Sequence, residues 1–361
     1  MTENAPNRKN DVRVMIVGQS AAVSGRAARA LEGCPGIIVA AKPVSGNLAV
    51  GRLNREPVDV MVMEIDQKAG DIKKIMAKIL SQDPGLKIIL TDILSFSSVQ
   101  NSMQGLLSGA AEFIPLPPPP RRKLKLSVDP AFQRNLRRLV LALGHARQNK
   151  GQRRQAKYKS LPVTLRQAAK KRPGVILIGS STGGPKILVS VFRRLPLVVK
   201  QPILVVQHMP ADFTKTLAES ISRETPWTCR EGIEGEEITG GRIYLAPGDR
   251  HMTVEGLGAK KKIHLDGGAK VNFCRPSADP LFASAAKAYG GKALSVVLTG
   301  MGHDGRDGAR AIVEAGGTVI AQDEDSSVVW GMPGAVAEGG LCSAVLPGRD
   351  IAPYIRKLAT K

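Results

Sequence analysis

Short, continuous apolar runs, each followed by a helical pattern, recur along this chain of 361 residues. Strands alternating with helices imply parallel βαβ units and open α/β sheets. In the first third the apolar runs are "VRVMIVG" (12–18), "VDVMVMEI" (58–65), "KIILTDI" (87–93) and "AEFIPL" (111–116). "PLPPPP" (115–120) interrupts any helix. Beyond it, Phe132, Leu136, Leu139, Val140 and Leu143 share one helical face, which predicts a helix closing a first domain over residues 11–147. From residue 174 the pattern restarts. Strands are expected at 175–179, 203–207, 242–246, 251–255, 262–266, 294–299 and 318–322, and helices at 185–194, 211–222, 280–289 and 306–315. The expected fold class is α/β, with two open, mostly parallel, doubly wound sheets. A second domain spans 173–361, and a basic linker over 148–172 joins the two.

The net charge of +21 invites a nucleic-acid reading, yet its distribution argues otherwise. Between Arg121 and Arg172 there are 17 Lys or Arg against one acid, Asp129, so most of the excess sits in one connecting region. That region has few aromatics for base stacking (Phe132 and Tyr158), and no recognition-helix pattern stands out. No specific nucleic acid is expected as partner. An acidic receptor tail or an anionic membrane surface fits such a stretch equally well. No apolar run approaches the roughly 18 residues of a membrane span. The start, "MTENAPNRKNDVRV", has no apolar export signal. The four cysteines are scattered without a C-x-x-C pair, so neither a metal site nor a disulfide framework is expected, and a cytoplasmic location fits.

Three segments of the second domain carry the chemistry. Gly179-Ser180-Ser181-Thr182-Gly183 fits G-x-S-x-G with Ser181 central, between a predicted strand and a helix. A tight turn there presents a hydroxyl, and the helix N-terminus behind it favours a developing oxyanion. A phosphate-binding turn or a simple helix cap competes with the nucleophile. A P-loop needs Gly-Lys-Ser/Thr, which "GGPKIL" lacks, and Ser181 occupies the second glycine of a dinucleotide fingerprint. His208 directly follows the run "ILVVQ", with His251 and His303 as rivals. Asp304 lies in "TGMGHDG" at the end of another apolar run, with Asp307 a weaker rival. Main-chain N–H groups of that glycine-rich turn are candidate oxyanion donors. In an open parallel sheet, functional groups collect beyond the carboxyl ends of strands. The three segments therefore put hydroxyl, imidazole and carboxylate on one rim.

The second domain resembles the catalytic domain of the chemotaxis protein-glutamate methylesterase family. The stretches "IGSSTGG", "QHMPADFT", "YLAPGDRHM", "FCRPSADPLF", "LTGMGHDG" and "VVWGMPGAV" appear in the family's order across about residues 173–348. The resemblance implies a Rossmann-like domain with Ser181 as nucleophile, His208 as general base and acid, and Asp304 orienting it. It implies an oxyanion hole involving the Met301 N–H, a place for Thr182 in the substrate-binding set, and a substrate role for Arg275. The implied reaction is hydrolysis of glutamate γ-methyl esters on methyl-accepting chemotaxis receptors, releasing methanol. Some members also deamidate receptor glutamines. No cofactor is implied.

The first domain resembles a flavodoxin-like response-regulator receiver, but departs from it at the residues that matter for phosphorylation. Gly18 and Gln19 stand where an acidic, Mg²⁺-holding pair is expected. Glu64 replaces the phosphoacceptor aspartate, and Leu116 precedes Pro117 where a lysine is usual. Thr91 matches the switch hydroxyl. The expectation is a pseudo-receiver that is not phosphorylated and that docks a histidine kinase or a receptor tail. The alternative for the whole chain is a catalytically silent regulatory binding module of a chemotaxis-like pathway.

Overall fold

The computed structural model of the chain describes residues 11–65, 72–117, 129–156, 163–256, 258 and 260–360. It divides into two compact units, Met1–Tyr158 and Lys159–Lys361.

The first unit runs β1 (Val12–Val17), α1 (Ala21–Leu31), β2 (Ile37–Ala41), α2 (Gly46–Leu53), β3 (Val60–Glu64), α3 (Ile72–Gln82), β4 (Lys87–Ile93), α4 (Phe96–Ser108), β5 (Glu112–Leu116) and α5 (Pro130–Ala156). The five strands lie in the order β2-β1-β3-β4-β5, every pair parallel. Serines start the helices. The hydroxyls of Ser20, Ser45 and Ser95 accept from the backbone N–H three residues on, which satisfies an orphan donor of the first turn. Asp129 does the same for α5, accepting from the Phe132 N–H at 2.8 Å ahead of Pro130. The apolar face of α5 is buried as its spacing predicts, with Leu136, Val140 and Leu143 fully covered. At Gly144 the helix runs so close to β1 that a Cβ would collide with the Val12 methyls.

The second unit runs β6 (Val175–Ser180), α6 (Gly184–Arg194), β7 (Ile203–Gln207), α7 (Ala211–Glu224), β8 (Cys229–Glu231), β9 (Ile243–Leu245), β10 (His251–Glu255), β11 (Lys262–Asp266), α8 (Ala278–Tyr289), β12 (Ala293–Val297), α9 (Arg306–Glu314), β13 (Thr318–Gln322), α10 (Gly331–Glu338), β14 (Ala344–Leu346) and α11 (Gly348–Ala359). Seven strands form one sheet in the order β14-β13-β12-β6-β7-β9-β8, all parallel. β10 and β11 form a separate antiparallel hairpin. β6, β7, β12 and β13 are buried along their whole length, as strands covered by helices on both faces must be. From β6 the chain proceeds to β7 on one side and, later, to β12 on the other. The sheet thus opens a crevice at the carboxyl end of β6.

Residues 148–172 differ from the expected solvated linker. Residues 148–156 are the last turns of α5, because Arg, Gln and Lys are good helix formers and a polar composition does not stop a helix. Residues 163–172 run without regular structure along the second unit. The Arg166 N–H donates to the Cys342 carbonyl and the Ala169 N–H to Thr318 Oγ1, both at 2.9 Å.

Candidate active site

Ser181 follows β6 as the chain turns into α6. Its N–H donates to the Thr299 carbonyl at 3.0 Å, and its carbonyl accepts from the Gly184 N–H at 2.7 Å. The turn requires its glycines. Gly183 sits at φ 81°, where a side chain would be strained. A Cβ on Gly179 would stand 2.9 Å from the Cβ of Ala278 and 3.3 Å from the Phe282 ring. The N-terminus of α6 carries no acidic residue in its first turn and so keeps its positive end uncompensated.

Strand register brings His208 alongside. Ser180 pairs with Gln207 across β6 and β7, so Ser181 and His208 leave neighbouring strands together, at a strand spacing of about 4.8 Å. Gln207 ties the two exits. Its Nε2 donates to the Ser181 carbonyl at 2.9 Å and to the His208 carbonyl at 3.3 Å, while its Oε1 accepts from the Ser180 hydroxyl at 2.7 Å.

Asp304 enters from the loop between β12 and α9, next to β6 on the other side. Its Oδ2 meets His208 Nε2 at 2.7 Å and accepts from the Ala278 N–H at 2.6 Å. Its Oδ1 accepts from the Ser277 hydroxyl at 2.5 Å and the Asn272 amide at 3.0 Å. Burial opposes the charge on this carboxyl, but the bonds from His208, Ser277 and Ala278 outweigh it and hold the group well below the usual carboxylate range. Burial also works against a charged His208. There too the hydrogen bonds prevail, to Asp304 and then to Cys274, and the imidazole is pushed up to about 10. A second buried carboxyl, Asp279, accepts from the Gly308 N–H and from the Asn272 amide. Burial, reinforced by the nearby Asp304 charge, raises it to about 6 despite the Gly308 bond.

The imidazole therefore uses Nε2 for Asp304 and presents Nδ1 to the rim, where the Sγ of Cys274 lies at 3.5 Å. Ser181 leaves the strand next to the one that His208 follows, and its hydroxyl makes no hydrogen bond to this ring. A Cβ on Gly300 would stand 2.9 Å from the Ser181 Cβ, so the β12 loop closes tightly on the serine from the other side. In that loop the N–H of Met301 donates to no partner among the described residues. This assembly is a hydroxyl, an imidazole held by an ionised carboxylate, a free main-chain N–H and a helix N-terminus around one crevice. It suits nucleophilic attack on an acyl carbon.

Residues 176–355 match the family model of the CheB methylesterase. The whole chain aligns with all of the protein-glutamate methylesterase/protein-glutamine glutaminase 1 of Paramagnetospirillum magneticum, at 43% identity over 385 residues. The protein-glutamate methylesterase/protein-glutamine glutaminase of Azospirillum brasilense is 44% identical over 97% of this chain and 93% of its own. Among solved structures, the CheB methylesterase catalytic domain of Thermotoga maritima superposes with a TM-score of 0.51 at 41% identity, over 52% of this chain and all of that one. The chain belongs to the protein-glutamate methylesterase/protein-glutamine glutaminase family.

Against this methylesterase background the other candidates sort by their contacts. Thr182 is buried, and its carbonyl accepts from the Thr299 hydroxyl at 3.0 Å. Arg275 spends one terminal nitrogen on the carbonyls of Gly267 and Gly268, at 2.7 and 2.6 Å, and so ties down that loop. His251 is buried between the Ala269 carbonyl and the Ser277 N–H, which gives it a structural task. Asp307 pairs with Arg310 at 2.9 Å on the surface. Gln207, Asn272, Cys274 and Ser277 are site residues that motif reading did not single out. Cys274 and Ser277 lie within the quoted "FCRPSADPLF", and Gln207 begins "QHMPADFT", so a polar residue ending an apolar strand was the available signal.

The turn bearing Asn272 has unusual geometry. Val271 and Cys274 exchange backbone hydrogen bonds at 3.1 and 2.9 Å, and the two residues between them both sit at positive φ, Asn272 at 51° and Phe273 at 63°. Asn tolerates that region, whereas a bulky side chain there costs roughly 1–2 kcal/mol.

In the first unit, Glu64 ends β3 and turns its Oε2 to the Ser20 N–H at 3.0 Å. A Cβ on Gly18 would fall 2.5 Å from that same oxygen. Thr91 is buried, with its hydroxyl donating to the Ile114 carbonyl at 2.8 Å. With Gly18 and Gln19 after β1 and one carboxylate already engaged by the backbone, these residues do not fit a Mg²⁺ ion. Among the described residues no group of three or more His, Cys, Asp or Glu is arranged to hold a metal.

Proposed function

We propose that the protein hydrolyses glutamate γ-methyl esters on methyl-accepting chemotaxis receptors, with Ser181, His208 and Asp304 as its catalytic set. His208, once neutral, takes the Ser181 proton on Nδ1, the nitrogen that Asp304 leaves free. The serine oxygen attacks the ester carbonyl, and the oxyanion is met by the Met301 N–H and the α6 N-terminus, with Thr182 beside them. Nδ1 returns the proton to the departing methoxide, which leaves as methanol, and the glutamyl group stays on Ser181 as an ester. Water, deprotonated by the same nitrogen, then releases the glutamate carboxylate and restores the serine. The same acyl-enzyme forms from a glutamine side chain with ammonia as leaving group, which is the deamidation that the relatives' names describe. A serine rotamer change carries Oγ towards Nδ1, a tightening expected on substrate binding.

The observation that carries this reading is the 2.7 Å contact of His208, directly after the strand next to β6, with a carboxylate that Asn272, Ser277 and Ala278 also hold. Methanol release from methylated receptor tests it, comparing wild type with Ser181→Ala. Release by the wild type and its loss in the variant is the expected result. No release by the wild type favours the silent binding module, which the unbonded Ser181 hydroxyl would also suit. Equal release by both removes Ser181 from its role.

The first unit is, in this reading, a pseudo-receiver that docks a histidine kinase or a receptor tail without a phosphoryl group. Glu64, engaged by the Ser20 N–H, supports that. Among the described residues no helix is long and apolar enough to cross a membrane, and we place the reaction in the cytoplasm, where the receptor's signalling portion is reached.

A further inference from the structure

We propose that Phe273 is a substrate-contacting, specificity-determining residue that grips apolar side chains flanking the esterified glutamate on the substrate polypeptide. The inference rests on the methylesterase reading and concerns how the protein substrate is held at that same site. Three observations converge on this ring. First, Phe273 is 89% exposed, the most exposed large apolar side chain among the described residues. Second, it sits at φ 63°, in a two-residue turn position that glycine or asparagine normally fills. Third, both sequence neighbours touch the catalytic pair. The Asn272 amide donates to Asp304 Oδ1 at 3.0 Å, and the Cys274 Sγ lies 3.5 Å from His208 Nδ1.

Single exposed apolar residues are ordinary on protein surfaces. Phe96, 84% exposed, is one of them, for it opens α4 on regular helical backbone. Phe273 differs because its backbone is strained and its ring gains nothing in the free protein to offset that. Asn272 adopts the same region and is repaid by two carboxylates, Asp304 and Asp279. The return for Phe273 has to come from something that arrives. Strained residues beside a reactive centre are a mark of function, and a rigid aromatic with two side-chain torsions is an efficient contact for a protein partner. The turn's anchors fix where that partner must be. A polypeptide presenting an ester to Ser181 and His208 passes within reach of the ring.

The test uses the full chain and methylated receptor, with Phe273→Gly as the main variant. KM is expected to rise about tenfold with kcat within about twofold, equivalent to roughly 1.4 kcal/mol of lost binding. The thermal midpoint is expected to hold or rise, because glycine suits the backbone. Phe273→Asn, which also tolerates positive φ, should reproduce the rise in KM, and Phe273→Leu should restore most of the wild-type value. An unchanged KM overturns the proposal, and so does a fall in kcat alone, which would mean that the turn merely positions His208 and Asp304. Receptor Kd, measured for the same variants, reads the Phe273 contact even if the wild type releases no methanol. The two readings therefore fail separately.

Discussion

His208 is the residue whose chemistry is most constrained. Its two nitrogens are divided between Asp304 and Cys274, and its raised pKa means that the resting ring is an imidazolium at neutral pH. In the proposed reaction the base form is the deprotonated one, so the population able to accept the serine proton grows as pH rises. We therefore expect kcat/KM for methanol release to climb from about pH 7 towards 10, by up to about tenfold per unit. Cys274→Ala removes one of the bonds that favour the charged ring, and should shift that ascending limb to lower pH. Asp304→Asn keeps the shape but removes the charge and fixes the wrong tautomer. A loss of about 10³- to 10⁴-fold in kcat is expected, read in the same assay. At this scale the three principal residues were legible because each follows an apolar strand, in a turn with glycine or proline nearby. Asn272 and Cys274 were not assignable, because each reaches a partner far along the chain, 32 residues away for Asn272–Asp304 and 66 for Cys274–His208. No local pattern encodes such a pairing.

The elements that position these residues were mostly readable, and the exceptions share physical causes. Periodicity located β1, β3, β4 and β5, the core of the second sheet, and four of its helices. β8 and β14 are three residues long, too short for a pattern. β2, "IIVAA", is only half-buried over most of its length, and five residues ending in two alanines carry no clear strand pattern. α10 begins "GMPG" and α11 contains Pro353, so local propensity argues against helices that tertiary packing nonetheless imposes. Close approaches between elements were invisible as well. Gly144 lets α5 lie on β1, and Gly144→Ala should lower the thermal midpoint of the first unit by an amount matching about 1–3 kcal/mol of overpacking, followed by circular dichroism. Gly300→Ala would press on Ser181 and Met332, and should reduce methanol release more than it reduces stability.

For the molecule as a whole, the pseudo-receiver reading rests on one feature of the first unit. The carboxylate that ends β3 is already committed to the Ser20 N–H. Incubation with acetyl phosphate and Mg²⁺ should leave the intact mass unchanged. An acid-stable, hydroxylamine-labile addition of one phosphate would contradict the pseudo-receiver reading. The basic excess that the sequence concentrated over 121–172 is not one linker. Part of it closes the first unit as the end of α5, part borders the second sheet, and residues 118–128 and 157–162 lie outside the described residues.

The imidazole and the carboxylate that holds it stand 96 residues apart in the chain and enter the crevice from opposite sides of β6. During synthesis, Ser181 and His208 emerge from the ribosome long before Asp304, and β12 must slot in beside β6 before the acid can reach the ring. On the proposed reaction, a polypeptide truncated before β12 lacks the carboxylate that holds the ring and is expected to release no methanol.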